Sequence, residues 1–183
     1  MLVCALVVQP LGDATPARAQ AAHTLAIDPA KSTARFSIEH IFVARVTGTV
    51  PIVSGTVEVA AGSVIPRSVS AILDATRIQS GEPDRDRSLE SADYFDTAKF
   101  PTWTFTSTAI GPADAAGFGM DGILTMHGVP QAEHLDVTVS GNAAHPAYHA
   151  VGQIDRRAFG MKGARLDPVI GNAADITLDI TWK

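Results

Sequence analysis

Past residue 23 the dominant period of this chain is two. In "STARFSIEH" the residues Ala34, Phe36 and Ile38 alternate with Thr33, Arg35, Ser37 and Glu39, as a strand with one buried and one wet face requires. "GTVEV", "SVSAIL", "TWTFTST", "GILTM", "HLDVTVS" and "ADITLDITW" repeat the pattern. The segments "AGSVIP", "GPADAAG", "HGVPQ" and "SGNAAHP" carry turn chemistry and separate the runs at intervals of about ten residues, which predicts about eight antiparallel strands. A chain of strands apolar on one side must hide that side, by stacking two sheets or by closing one into a barrel. Closure also removes the exposed edges.

The chain has 183 residues, 46% of them hydrophobic, which suits one domain with a proper core. Its formal net charge of −5 argues against a nucleic-acid groove, which needs a basic stripe. The start is distinct: "MLVCALVVQPLGDATPARAQA" has an apolar run from Leu2 to Val8, a breaker at Pro10, and Ala17 and Ala19 around Arg18. That pattern is read as a secretory signal peptide over residues 1–19, incomplete at its N-terminal side because no basic residue precedes the run. Residues 20–183 then form a single domain, periplasmic or secreted. Cys4 is the sole cysteine and lies inside that signal. The mature chain therefore has neither an internal disulfide nor a thiolate zinc site.

One stretch breaks the period-two pattern. In "RDRSLESADYFDTAKFPTWTF", Pro83 just upstream suits a first helical turn, Asp84 and Asp86 complement the positive end of the helix dipole, and Leu89 supplies an apolar anchor. Two or three turns are marginal alone, so this helix must dock on something. With Arg85, Asp86, Arg87 and Glu90 as its outer side and Tyr94 and Phe95 just beyond, it is read as a lid, charged towards water and apolar towards what it covers. The strand that follows puts Trp103, Phe105 and Ser107 on one face and Thr102, Thr104 and Thr106 on the other. The aromatic face is expected to point inward.

Catalytic signatures are absent: the chain has no G-x-S-x-G elbow, phosphate loop or dinucleotide fingerprint. Asp93 and Asp96 flank Tyr94 and Phe95, where turn capping is the simpler role. His145 and His149 in "HPAYH", like His127 beside Gly128, invite a metal reading. Pro146 argues against the helix that would bring the two ends of H-x-x-x-H onto one face, and no metal site is assigned.

These segments together resemble the YceI-like proteins, exported bacterial lipocalin-like barrels associated with polyisoprenoid lipids. The matching pieces are "AIDPAKSTARFSIEH", "RDRSLESADYFDTAKFPTWTFTST", "LTMHGV", "GQIDRRAFGM" and the terminal "ADITLDITW", in the family's order, and the middle one is the most specific. The chain departs from the family's habit at Ser88, where His is frequent, at Ala158, where an acidic residue is, and at Val50 and Val53, where Phe is common.

The resemblance implies an extended antiparallel lipocalin-like barrel with one short helix as lid, and an elongated apolar cavity for an isoprenoid amphiphile such as a quinone or a polyprenyl phosphate. Phe36, Ile38, Phe42, Trp103, Phe105, Leu124, Met126 and Phe159 are then candidates for the cavity wall; the alternative is that they fill a dry core, as in any small barrel. His40 extends the inward face of the first strand, as a donor to a headgroup or as a structural histidine. Arg156, Arg157, Lys162 and Arg165 surround Phe159 and Met161, either to neutralise a diphosphate at the entrance or as a solvated loop. No resident cofactor is required beyond a bound isoprenoid lipid or quinone. The candidate partners are that lipid, a membrane-associated protein and a second copy of the chain. The rival function is a filled barrel that docks a membrane or redox partner through its helix face.

Overall fold

The alternating segments become ten strands of one antiparallel sheet. The computed structural model describes residues 22–40, 44–142, 145–161 and 169–183; the signal segment, Phe42, Lys162 and Arg165 lie outside the described residues. In chain order the strands are β1 (Ala22–Ala26), β2 (Thr33–His40), β3 (Ala44–Thr49), β4 (Ile52–Ala60), β5 (Pro66–Asp74), β6 (Thr102–Ile110), β7 (Phe118–Met126), β8 (Val129–Asn142), β9 (His145–Asp155) and β10 (Ile170–Thr181). A 3-10 turn, Ala75–Arg77, and one α-helix, α1 (Pro83–Glu90), lie between β5 and β6.

The spatial order is β1-β4-β5-β6-β7-β8-β9-β10-β2-β3. The sheet curls, and isolated contacts rather than a full ladder bring its ends onto neighbours. Ile27, just past β1, bridges to Trp182, and the Lys183 N–H donates to the Ala26 carbonyl at 2.9 Å. Thr49, at the end of β3, exchanges N–H···O bonds of 2.8 and 2.9 Å with Gln79.

Ten strands arise where the alternation predicts about eight. The turn at Asp28–Lys31 separates β1 from β2, and Val50–Pro51 separates β3 from β4, Pro51 having no N–H to give. The segment "SGNAAHP" is largely strand, since β8 runs to Asn142 and β9 begins at His145. Between β7 and β8 the predicted turn is as tight as a hairpin allows. Met126 pairs with Val129 across His127 and Gly128, both at positive φ (53° and 74°), the backbone that matches the twist of the flanking strands.

Side chains sort as the period dictates. On β6, Trp103 and Phe105 are buried while Thr102, Thr104 and Thr106 face water. The buried residues form three clusters along the barrel. One, under α1, holds Val50, Ile78, Trp103, Met126, Phe159 and Met161; a second holds Phe105, Phe118, Met120, Leu135, Val137 and Tyr148; a third holds Ile27, Ala34 and Ile52.

The outer face of β9, β10, β2 and β3 is laced with charge. Asp179 accepts from His149 Nδ1 at 2.8 Å and from Arg35 at 2.6 Å, and Asp175 accepts from Gln153 at 2.9 Å and Arg45 at 2.5 Å. These bonds hold both carboxyls below the ordinary aspartate range, the His149 bond leading for Asp179 and the Gln153 bond for Asp175. Exposed pairs of this kind add little stability each.

Candidate functional site

The barrel is hollow. Two chambers lie end to end inside it, of about 140 Å³ and about 320 Å³. Phe36, Trp103, Met126, Ile154 and Ile176 line both and stand at the boundary between them. Together the chambers reach the size of small-molecule sites, roughly 300–1,000 Å³.

The smaller, inner chamber is built from the inward positions of β4 to β10 and β2. Its exposed wall is almost wholly carbon, with Phe105, Phe118, Leu135, Tyr148, Leu178 and Trp182 among its residues. Large rings fit there because glycines lie beneath them. A Cβ on Gly48 would stand 2.3 Å from Phe36, and one on Gly122 would stand 2.2 Å from Phe105, so neither position tolerates a side chain without moving the ring. Tyr148 donates its hydroxyl to the Val64 carbonyl at 2.7 Å, and burial pushes its phenol up to about 12, so it stays neutral. Glu133 also borders this chamber, half buried, and desolvation followed by the charge of Asp155 raises its carboxyl above the usual range.

The outer chamber is roofed by α1 and the turn after it. Arg85, Ser88 and Leu89 contribute from the helix, Tyr94 and Phe95 from the turn, and His40, Arg156 and Met161 from the rim. Leu89 and Phe95 pack on the buried cluster that contains Trp103 and Met126, which is the docking surface a helix this short requires. The Phe95 ring lies 4.7 Å from that of Trp103, tilted by 56°.

A buried serine ties the helix down. Asp86 accepts from the Ser80 N–H at 2.7 Å and from the Ser80 hydroxyl at 2.5 Å, while Arg85 donates through Nε to that hydroxyl at 2.8 Å and through Nη2 to the Ser80 carbonyl at 3.1 Å. This corrects the expected outer side. Arg85 and Asp86 are half buried and hold the lid, whereas Arg87 is exposed and pairs with Asp84.

Among the candidate wall residues, Phe36, Trp103 and Met126 line both chambers, Ile38 and His40 the outer, and Phe105 and Leu124 the inner. Phe159 lines neither. It is fully buried in the cluster under α1, with its carbonyl held by His127 Nδ1 at 3.0 Å, so it packs behind the wall.

The basic candidates separate too. Arg156 is 5% exposed and spends its guanidinium on backbone: Nε to Gly171 O at 2.8 Å, Nη1 to Met161 O at 3.0 Å and Nη2 to Ile170 O at 3.2 Å. It clamps the backbone of Met161, Ile170 and Gly171 together and presents only part of itself to the outer chamber. Arg157 is exposed and borders neither chamber, which removes it from the headgroup set. His145 and His149 sit on the outer face of β9, as strand parity requires once "HPAYH" is extended.

Several wall residues were not singled out from the sequence. Ile176, Leu178 and Trp182 stand on the inward parity of "ADITLDITW", a signal that was present. Tyr148 was hidden by the histidines around it.

Comparison with known proteins places this geometry. The sequence profile of the YceI-like domain matches residues 25–182. Protein YceI of Shigella flexneri is 28% identical over 133 residues, 69% of each chain, and a UPF0312 protein of Pseudomonas syringae is 27% identical over 154 residues, 81% of this chain and 78% of that one. Among solved structures, BcnA of Burkholderia cenocepacia superposes with a TM-score of 0.69 at 20% identity, covering 85% of this chain and 98% of its own. A polyisoprenoid binding domain from Saccharophagus degradans, implicated in plant cell wall breakdown, gives a TM-score of 0.63 at 16% identity, covering 86% and 97%. At such identities the likeness is one of fold.

Proposed function

Because the chain belongs to the YceI-like family, we propose that it is a carrier or store for an isoprenoid amphiphile, of quinone or polyprenyl phosphate type, and not an enzyme. The observation that carries this reading is the two-chamber interior, whose inner wall is carbon and whose outer end is rimmed by His40, Arg85 and Arg156. A tail enters the inner chamber; the polar end stays in the outer chamber, between Trp103 and the rim. The described polyisoprenoid binding domain of similar fold supports the ligand class.

The energetics suit such a ligand. Burying each CH2 contributes about 0.8 kcal/mol, so one five-carbon isoprene unit is worth on the order of 3 to 4 kcal/mol. A few units outweigh the ordering cost of micromolar binding. Affinity then follows tail length more than polar recognition. The protein acts outside the cytoplasm, after removal of residues 1–19, and exchanges its lipid with a membrane or a membrane-associated partner.

Native mass spectrometry of protein purified from a bacterial periplasm, followed by organic extraction, tests this. A co-purifying molecule whose fragments show isoprene spacing is the expected result. A bare protein mass that persists after incubation with both quinones and polyprenyl phosphates would overturn it.

A further inference from the structure

Trp103 stands at the boundary between the outer chamber and the inner, since it lines both. Its side chain is buried, 8% exposed, and its Nε1–H has no acceptor among the described residues and almost no accessible surface. Buried indole N–H groups normally find a partner, and leaving one unmatched is costly. The aromatic ring packed against this indole is Phe95, which belongs to the lid turn rather than to the barrel.

Building on the lipid-binding reading above, we propose that Trp103 Nε1 donates a hydrogen bond to a neutral acceptor oxygen of the bound amphiphile, a carbonyl of the quinone or amide kind, and that Phe95 is the gate that yields to admit it. Entry of the ligand shifts Phe95 from the indole and gives the N–H the partner it lacks.

The surroundings select a neutral oxygen. The other residues that line both chambers are Phe36, Met126, Ile154 and Ile176, all apolar. A phosphate drawn to that depth would shed its water for a single N–H, a heavy desolvation cost. A carbonyl loses far less and needs one donor. The Trp103 site therefore takes a neutral oxygen, while a phosphate head stays at the basic rim of the outer chamber.

The test compares a prenylquinone carrying four isoprene units with the oxygen-free tetraprenyl hydrocarbon. In wild-type protein the two indole N–H signals of the ¹H–¹⁵N spectrum belong to Trp103 and Trp182, and Trp182→Phe assigns them. The Trp103 signal is expected to move downfield with the quinone and not with the hydrocarbon. Trp103→Phe keeps the ring and removes the donor, so quinone affinity is expected to fall about tenfold while hydrocarbon affinity stays within about twofold.

An equal loss for both ligands, or an indole signal that responds identically to both, would overturn the donor role while leaving lipid binding intact. Failure of folded wild-type protein to bind either ligand would overturn the lipid reading itself. Should Trp103→Phe not fold, the wild-type spectrum decides alone.

Discussion

The inner and outer chambers are walled by different physics. Strand parity makes the inner one: every second side chain of "TWTFTST" or "ADITLDITW" must point inward, and the glycines under Phe36 and Phe105 let large rings lie flat. The outer chamber exists because a short helix is pinned across the barrel end by Ser80, Asp86 and Arg85 and plugged into the core by Leu89 and Phe95. A repeated local pattern therefore suffices for an apolar lining. A polar, closable entrance needs contacts specific to one helix.

The sharpest way to break this contrast is to strike the packing behind both chambers. Phe159→Ala empties a fully buried site beside Trp103 and Met126 and is expected to cost about 3–5 kcal/mol of stability, read from the denaturant midpoint. Because Phe159 is not a wall residue, ligands of every tail length should weaken together, and only as far as folding does.

Filling the inner chamber should separate the two spaces. Ala71 lines only that chamber, and Ala71→Phe introduces a ring where a tail would lie. Long-tailed prenyl ligands are expected to bind about a hundredfold more weakly in titration calorimetry, the equivalent of three or four buried CH2 groups, whereas ligands short enough for the outer chamber keep their affinity. Equal binding of long tails to the variant would show that the inner chamber is not their site.

The smallest effect concerns the lid. Asp86→Ala removes the acceptor of the Ser80 N–H and hydroxyl, two charge-assisted bonds whose loss is expected to cost about 1–2 kcal/mol locally. Hydrogen exchange over Pro83–Glu90 should quicken, and ligand dissociation should rise several-fold, with the inner chamber and long-tail selectivity unchanged. Unchanged exchange would mean that Leu89 and Phe95 hold the lid without the serine.

Much of this was legible in the residues themselves. The inward placement of Phe36, Trp103, Phe105 and Met126, the helix from Pro83 and the turn at His127–Gly128 each follow from a period, a cap or a turn residue acting over a few positions. Phe159 was misplaced because position within a turn says nothing of depth. Arg85 and Asp86 were misplaced because a charge in a helix reads as solvent-facing unless its partner is known, and Ser80 lies on the loop before the helix.

The sequence by itself determined the strand faces, the helix and the family, because these rest on interactions between residues near in the chain. Only the tertiary structure decided that the barrel is hollow, that Arg156 clamps backbone at the rim, and that the Trp103 N–H, between two chambers, has no partner among the described residues. Parity tells a side chain which way to point. Whether it meets another atom there depends on how far the curled sheet holds its opposite wall, a distance set by all ten strands at once.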